Sequence, residues 1–202
     1  MEIFNLFDKY CRFTDDSTLT IAIGKALLEC NGDYTNLTQK TSENLIQIAT
    51  WYPFAGYGGG FKRWLYSEEH EQYNSWGNGA AMRVSACAYF ARSLEEATEL
   101  YHKVTCMTHN HPEGLKGAEA TTIATYMALH GSTKEEIKQY VLKNYYNIDF
   151  TLDSIRDSYH FDVSCQGSVP QALQAFFEST DYEDAIRNAI SYRGANMDML
   201  AD

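Results

Sequence analysis

A chain of 202 residues, 45% apolar and 14% aromatic, is long enough to bury a core and is most simply one domain. Its net charge of −11 excludes a broad surface for nucleic-acid polymers or anionic membranes, though not a small anionic ligand in a local pocket. Five widely spaced cysteines without a CxxC pair read as reduced thiols of a cytoplasmic protein, and the Met1–Phe4 start has no basic region of the signal-peptide kind.

The first distinctive stretch is Phe13-Thr14-Asp15-Asp16-Ser17, two adjacent carboxylates between hydroxyls. It has two readings. Asp and Ser satisfy free N–H groups at a helix start, and acids suit the positive end of the helix dipole. Alternatively, adjacent carboxylates with hydroxyls make an oxygen donor set for a hard divalent cation. Apolar residues at helical spacing follow, predicting a helix from about Ser17 to Cys30 that Asn31-Gly32-Asp33 ends. Ser42-Glu43 is expected to open a second helix through Trp51.

Pro53 to Gly60 holds four glycines in five residues beside Phe54, Tyr57 and Phe61. Such a loop is either a plain surface connection or a place where backbone approaches a ligand closely. The sequence around Gly77-Asn78-Gly79 reads as a turn into a helix of small residues carrying one arginine, Arg83. It suits either close helix packing through Ala80, Ala81, Ala86 and Ala88, or an anion held near free N–H groups with Arg83 assisting.

Ser93-Leu94-Glu95-Glu96 predicts a capped helix to about Met107. Thr108-His109-Asn110-His111-Pro112 breaks it, and Pro112 suits the first turn of a helix running to about His130. His109 and His111 are open to three roles: metal ligand, helix cap or ligand contact. Further helices are expected from Ser132 to about Tyr145, from Ser168 to about Glu178, and from Thr180 to about Ser191, with Gly194 as the last C-cap. Apolar residues repeat at three and four, not two, so the fold class is all-α, with about seven or eight helices.

Taken together these stretches resemble the ADP-ribosylglycohydrolase family. The similarity is carried by Phe13-Thr14-Asp15-Asp16-Ser17, Gly56-Tyr57-Gly58-Gly59, Tyr73 through Arg83, Thr108 through Ala118, Ser168 through Leu173, and Ser179 through Ile186. The resemblance implies a single domain over 1–202, an orthogonal helical bundle with a cleft for ADP-ribose. It implies a Mg²⁺ or Mn²⁺ centre, with Thr14, Asp15 and Asp16 as the first metal triplet and Asp15 and Asp16 as catalytic residues. Tyr57, Gly58, Gly59, Gly77, Asn78, Gly79, Ala80, Met82 and His109 become contacts to the nucleotide.

Three departures set further expectations. The family's second metal motif, Gly-Asp-x-Asp-Thr, has its best counterpart in Ala195-Asn196-Met197-Asp198-Met199. An amide and a thioether replace a carboxylate and a hydroxyl, and a thioether is too soft for Mg²⁺. At most one ion is therefore expected, on Thr14, Asp15, Asp16 and Asp198. The family's first and last helices have no counterpart here, which would bare apolar surface and lead to a homo-oligomer. The expected function is binding of ADP-ribose or a related adenine nucleotide, cyclic forms included, with weak or no turnover. The alternatives are an active metal-dependent hydrolase and a purely structural domain.

Overall fold

A computed structural model describes Leu6 and residues 9–191. The described chain is helical, with no membrane-length apolar helix and, in place of strands, one isolated antiparallel bridge between Gly77 and Ser164. Ten α-helices occur among the described residues, more than the capping signals predict. The surplus comes from two short segments, α3 (Gly59–Leu65) and α8 (Leu152–Ile155), the second closed by a capping box of Thr151 and Ser154, while the helix expected after Gly77-Asn78-Gly79 splits into a 3₁₀ segment, Asn78–Arg83, and α4 (Ser85–Phe90).

α1 spans Asp15–Cys30 and begins two residues earlier than expected, because Thr14 takes the N-cap position and both aspartates enter the first turn. Its Leu19, Ala22, Ile23, Ala26 and Leu27 are buried, and they pack against Leu45, Ile48 and Ala49 of α2 (Leu37–Trp51). α2 starts five residues before the predicted Ser42, following a 3₁₀ turn at Tyr34–Asn36 capped by Asp33. Each fully buried leucine or isoleucine contributes about 1.5–3 kcal/mol relative to exposure.

α6 (Pro112–Leu129) is the central helix. It packs against α5 (Leu94–Thr105), α4, the 3₁₀ segment Asn78–Arg83 and α9 (Cys165–Glu178). α9 starts before the expected Ser168 because the Ser164 hydroxyl caps the N–H of Gly167, leaving Pro170 inside the helix. Thr133 and Glu136 form a full capping box on α7 (Lys134–Asn144). At α10 (Tyr182–Ser191) the carboxylate of Asp181 accepts from Asp184 N–H. The expected C-cap at Gly194 and the metal position at Asp198 lie outside the described residues. All five cysteines are free thiols.

Candidate functional site

Two segments that are distant in sequence reach α1, and a third, carrying His109, reaches the second of them. The first contact is between α1 and the glycine loop. The Asp15 N–H donates to the Ala55 carbonyl at 2.6 Å. Gly56 has φ of +89°, a backbone state that favours glycine, and a methyl added there would lie 3.9 Å from Asp15 Oδ1. Tyr57 turns inward: its ring is buried and its hydroxyl lies 3.1 Å from Thr18 Oγ1. Phe61 is buried beside it, whereas Phe54 is 98% exposed, so Phe54 alone of the three rings presents an open face. Gly58 precedes α3 with open space where a side chain would stand, and Gly59 opens the helix.

The second contact ties the 3₁₀ segment to α1. Thr20 Oγ1 lies 3.3 Å from the Met82 carbonyl while giving its hydrogen to the Asp16 carbonyl at 2.6 Å. Arg83, at the end of that segment, is completely buried. Its charge draws Asp15 down, but burial and the neighbouring Asp16 outweigh it and push the Asp15 carboxyl up to about 6.

The third contact brings in His109. Methyl groups added at Gly79 and Gly77 would lie 3.4 Å and 3.7 Å from its Nε2. The two glycines thus keep open the space in front of that nitrogen. The Asn78 N–H donates to the Val163 carbonyl and the Ala80 N–H to Gly77, which leaves the Gly79 N–H without a partner among the described residues. The turn therefore offers one backbone donor, fewer than its glycines suggest. The Asn78 amide is held by Ser168 Oγ at 3.1 Å, Ala80 is fully buried, and Met82 is half-buried with its methyl 3.9 Å from the Gly79 position. His111 resolves to a cap, its Nδ1 accepting from Glu113 N–H.

Behind the turn, the Cys165 thiol donates to the Gly77 carbonyl and the Cys165 N–H to Trp76, so α9 pins the turn from the rear. His109 is buried and is pushed down to about 2 by burial and by the Arg83 charge. Thr108 and Ala55 are contributors that local sequence patterns do not single out. Each acts across the chain, Thr108 on Arg83 and Ala55 on Asp15, and no short-range spacing signals such pairs.

The pattern of the ADP-ribosylglycohydrolase family matches residues 4–198. The chain belongs to the ADP-ribosylglycohydrolase family. It is 26% identical over 162 residues to the ADP-ribosylhydrolase ARH3 of Mus musculus, covering 72% of this chain and 43% of that protein. The Homo sapiens ARH3 is 26% identical over 139 residues, 61% of this chain and 37% of its own length. The chain thus spans less than half the length of the curated relatives it matches. Among solved structures, a chain of an "ADP-ribosylglycohydrolase-related protein complex" superposes with a TM-score of 0.68 at 20% identity, over 91% of this chain and 65% of that one. That likeness is one of fold, all-α as the sequence predicts.

Family membership implies a divalent metal, and the donor set can be judged against it. Asp15 and Asp16 repel each other, and the Thr14 hydroxyl donates to Asp16 Oδ2 at 3.0 Å. These are hard oxygen donors with excess negative charge, which suit Mg²⁺ or Mn²⁺. No third His, Cys, Asp or Glu joins them among the described residues.

Proposed function

We propose that the chain binds ADP-ribose or a related adenine nucleotide, cyclic forms included, with weak or no turnover. The observation that supports this reading is the placement of His109 Nε2 against both Gly77 and Gly79, beside the free Gly79 N–H. One side-chain donor and one backbone donor at a turn without side chains suit a phosphate or ribose oxygen. Asp15 and Asp16 stand at the start of α1, joined to the same turn through Thr20 and Met82. A Mg²⁺ or Mn²⁺ ion on Thr14, Asp15 and Asp16 would neutralise the carboxylates and hold hydroxyl oxygens of the sugar. The exposed Phe54 ring offers a face for a base.

The second reading is a metal-dependent hydrolase that removes ADP-ribose from a modified side chain or small molecule. Asp15 and Asp16 favour it, as paired carboxylates in the first turn of α1. The amide of Asn196 and the thioether of Met199, where the family motif has a carboxylate and a hydroxyl, favour binding over turnover. Calorimetry with ADP-ribose, with and without Mg²⁺, tests the binding reading. Saturable binding without release of ADP-ribose from ADP-ribosyl-arginine or ADP-ribosyl-serine supports it. Absence of binding at millimolar ligand rejects it, and multiple turnovers move the assignment to the hydrolase.

A further inference from the structure

Arg83 is the largest fully buried side chain of the protein, so it does not reach a ligand in the turn beside it. Its Nη2 donates instead to Thr108 Oγ1 at 2.6 Å and stands 3.5 Å from His109 Nδ1. Arginine has no acceptor, so both neighbours receive from it. Thr108 Oγ1, having accepted from Arg83, has one hydrogen to give. His109 Nδ1 lies 2.8 Å away and the Thr105 carbonyl 3.4 Å away, so the shorter contact takes it. The Tyr73 ring flanks the imidazole, with centroids 6.1 Å apart. Every polar group behind the ring therefore treats Nδ1 as an acceptor.

We propose that Arg83 and Thr108 are positioning residues that fix His109 as the neutral tautomer with its proton on Nε2, aimed at the Gly77–Gly79 turn. A neutral imidazole carries one N–H, and an acceptor Nδ1 forces it onto Nε2. His109 then acts as a permanent hydrogen-bond donor toward an oxygen of the ligand, not as a proton shuttle. Arg83 contributes through its neighbours and not through contact with an anion. The ligand side of this inference rests on the nucleotide-binding reading above; the tautomer itself does not.

Two-bond ¹H–¹⁵N spectra of the ¹⁵N-labelled protein report which ring nitrogen of His109 is protonated. The wild type is expected to show a bare Nδ1 and a protonated Nε2 without any ligand. Thr108→Ser keeps the hydroxyl, and both the tautomer and the ADP-ribose affinity should stay within about twofold of wild type. Thr108→Val keeps the shape and removes the donor. It should populate the Nδ1–H form and weaken ADP-ribose by about tenfold, the worth of one hydrogen bond. A proton on Nδ1 in the wild type overturns the proposal, and this reading needs no variant to fold. An unchanged tautomer in Thr108→Val, checked for a cooperative thermal transition, overturns the part assigned to Thr108 and leaves Arg83 alone to hold the ring. If the wild type shows the expected tautomer but takes up no ADP-ribose, the nucleotide reading fails while the positioning of His109 stands.

Discussion

The backbone N–H of Asp15 donates to the carbonyl of Ala55, 2.6 Å away, and so locks the first turn of α1 to the glycine loop. This bond fixes the direction in which the Asp15 carboxylate leaves the helix, with Gly56 beside it where a side chain would crowd. On the proposed reading, Asp15, Asp16 and the Thr14 hydroxyl would supply part of the shell of one divalent cation.

One divalent ion per chain is the expected stoichiometry. Two carboxylates and a hydroxyl satisfy part of one coordination sphere, with water completing it. The tail offers Asp198 but has Asn196 and Met199 in place of an acid and a hydroxyl. Titration with Mn²⁺, followed by the paramagnetic signal of the free ion, should saturate at one equivalent. Asp16→Asn should weaken the uptake at least about tenfold, since it removes one of the two adjacent carboxylates. Two equivalents in the wild type would show that the tail supplies a full second site.

Close approach of α6 and α9 depends on Gly117. A methyl there would stand 2.5 Å from Cys165 Sγ and 2.7 Å from its Cβ. Both partners are buried, so neither helix yields without moving the turn that Cys165 holds at Gly77. Gly117→Ala should lower stability by about 1–3 kcal/mol, the usual cost of overpacking. For a domain of this size that corresponds to roughly 2–4 °C in Tm for each kcal/mol. A midpoint equal to wild type would mean that α9 shifts freely, and then the nucleotide site should shift with it.

Much of this was legible from the sequence, and the boundary between what was and was not is physical. Helices with a complete cap, such as Thr133 with Glu136 on α7, are visible because the signal lies within four residues. α3 is not, because a short helix held by tertiary packing carries little local signature, and the helix expected through Ala80 and Ala88 shows no sign in the sequence of its break at Val84. Glycines at 56, 77 and 79 pointed to a site, and the structure gathers them near Asp15 and His109. The orientation of Tyr57 was invisible: a tyrosine beside a glycine loop looks like a platform for a base, yet its hydroxyl finds Thr18 and the ring turns into the core. Arg83 looked like an anion ligand for the same reason, and only its burial shows that it serves Thr108 and His109.

Stability at acid pH should carry the signature of His109. Its ordinary value of 6.5 falls to about 2 in the folded protein. Above pH 6.5 neither state holds the proton, and His109 adds no slope. Below it, the unfolded chain binds a proton that the folded chain refuses, so stability falls as pH falls, at about 1.4 kcal/mol per unit, down to the folded value. Asp15 has the opposite sign, because its raised value lets the folded state take a proton first between about 6 and 3.8. Comparing wild type with His109→Gln cancels the Asp15 part. Denaturant titrations at pH 7, 6, 5 and 4.5 should show the wild type losing ground to the variant by about that slope. Parallel curves would mean that His109 titrates normally and is not sealed behind Arg83 and Tyr73.

Gly79 gives the most direct separation of binding from folding. It sits in the 3₁₀ segment with ordinary backbone angles, so a larger residue there meets no backbone strain. Its added methyl would lie 3.4 Å and 3.6 Å from Nε2 and Cε1 of His109, tight but short of a clash. Side-chain atoms beyond the methyl would fill the space in front of Nε2, and a ligand oxygen could no longer reach that nitrogen or the Gly79 N–H. Gly79→Leu should therefore lower ADP-ribose affinity by at least about a hundredfold, two hydrogen bonds being lost and the ligand excluded. Its thermal midpoint should stay within a few degrees of wild type, since the residue faces the site and not the core. Wild-type affinity in Gly79→Leu would remove the turn from the binding site and leave the Asp15 side of the cleft to carry the ligand alone.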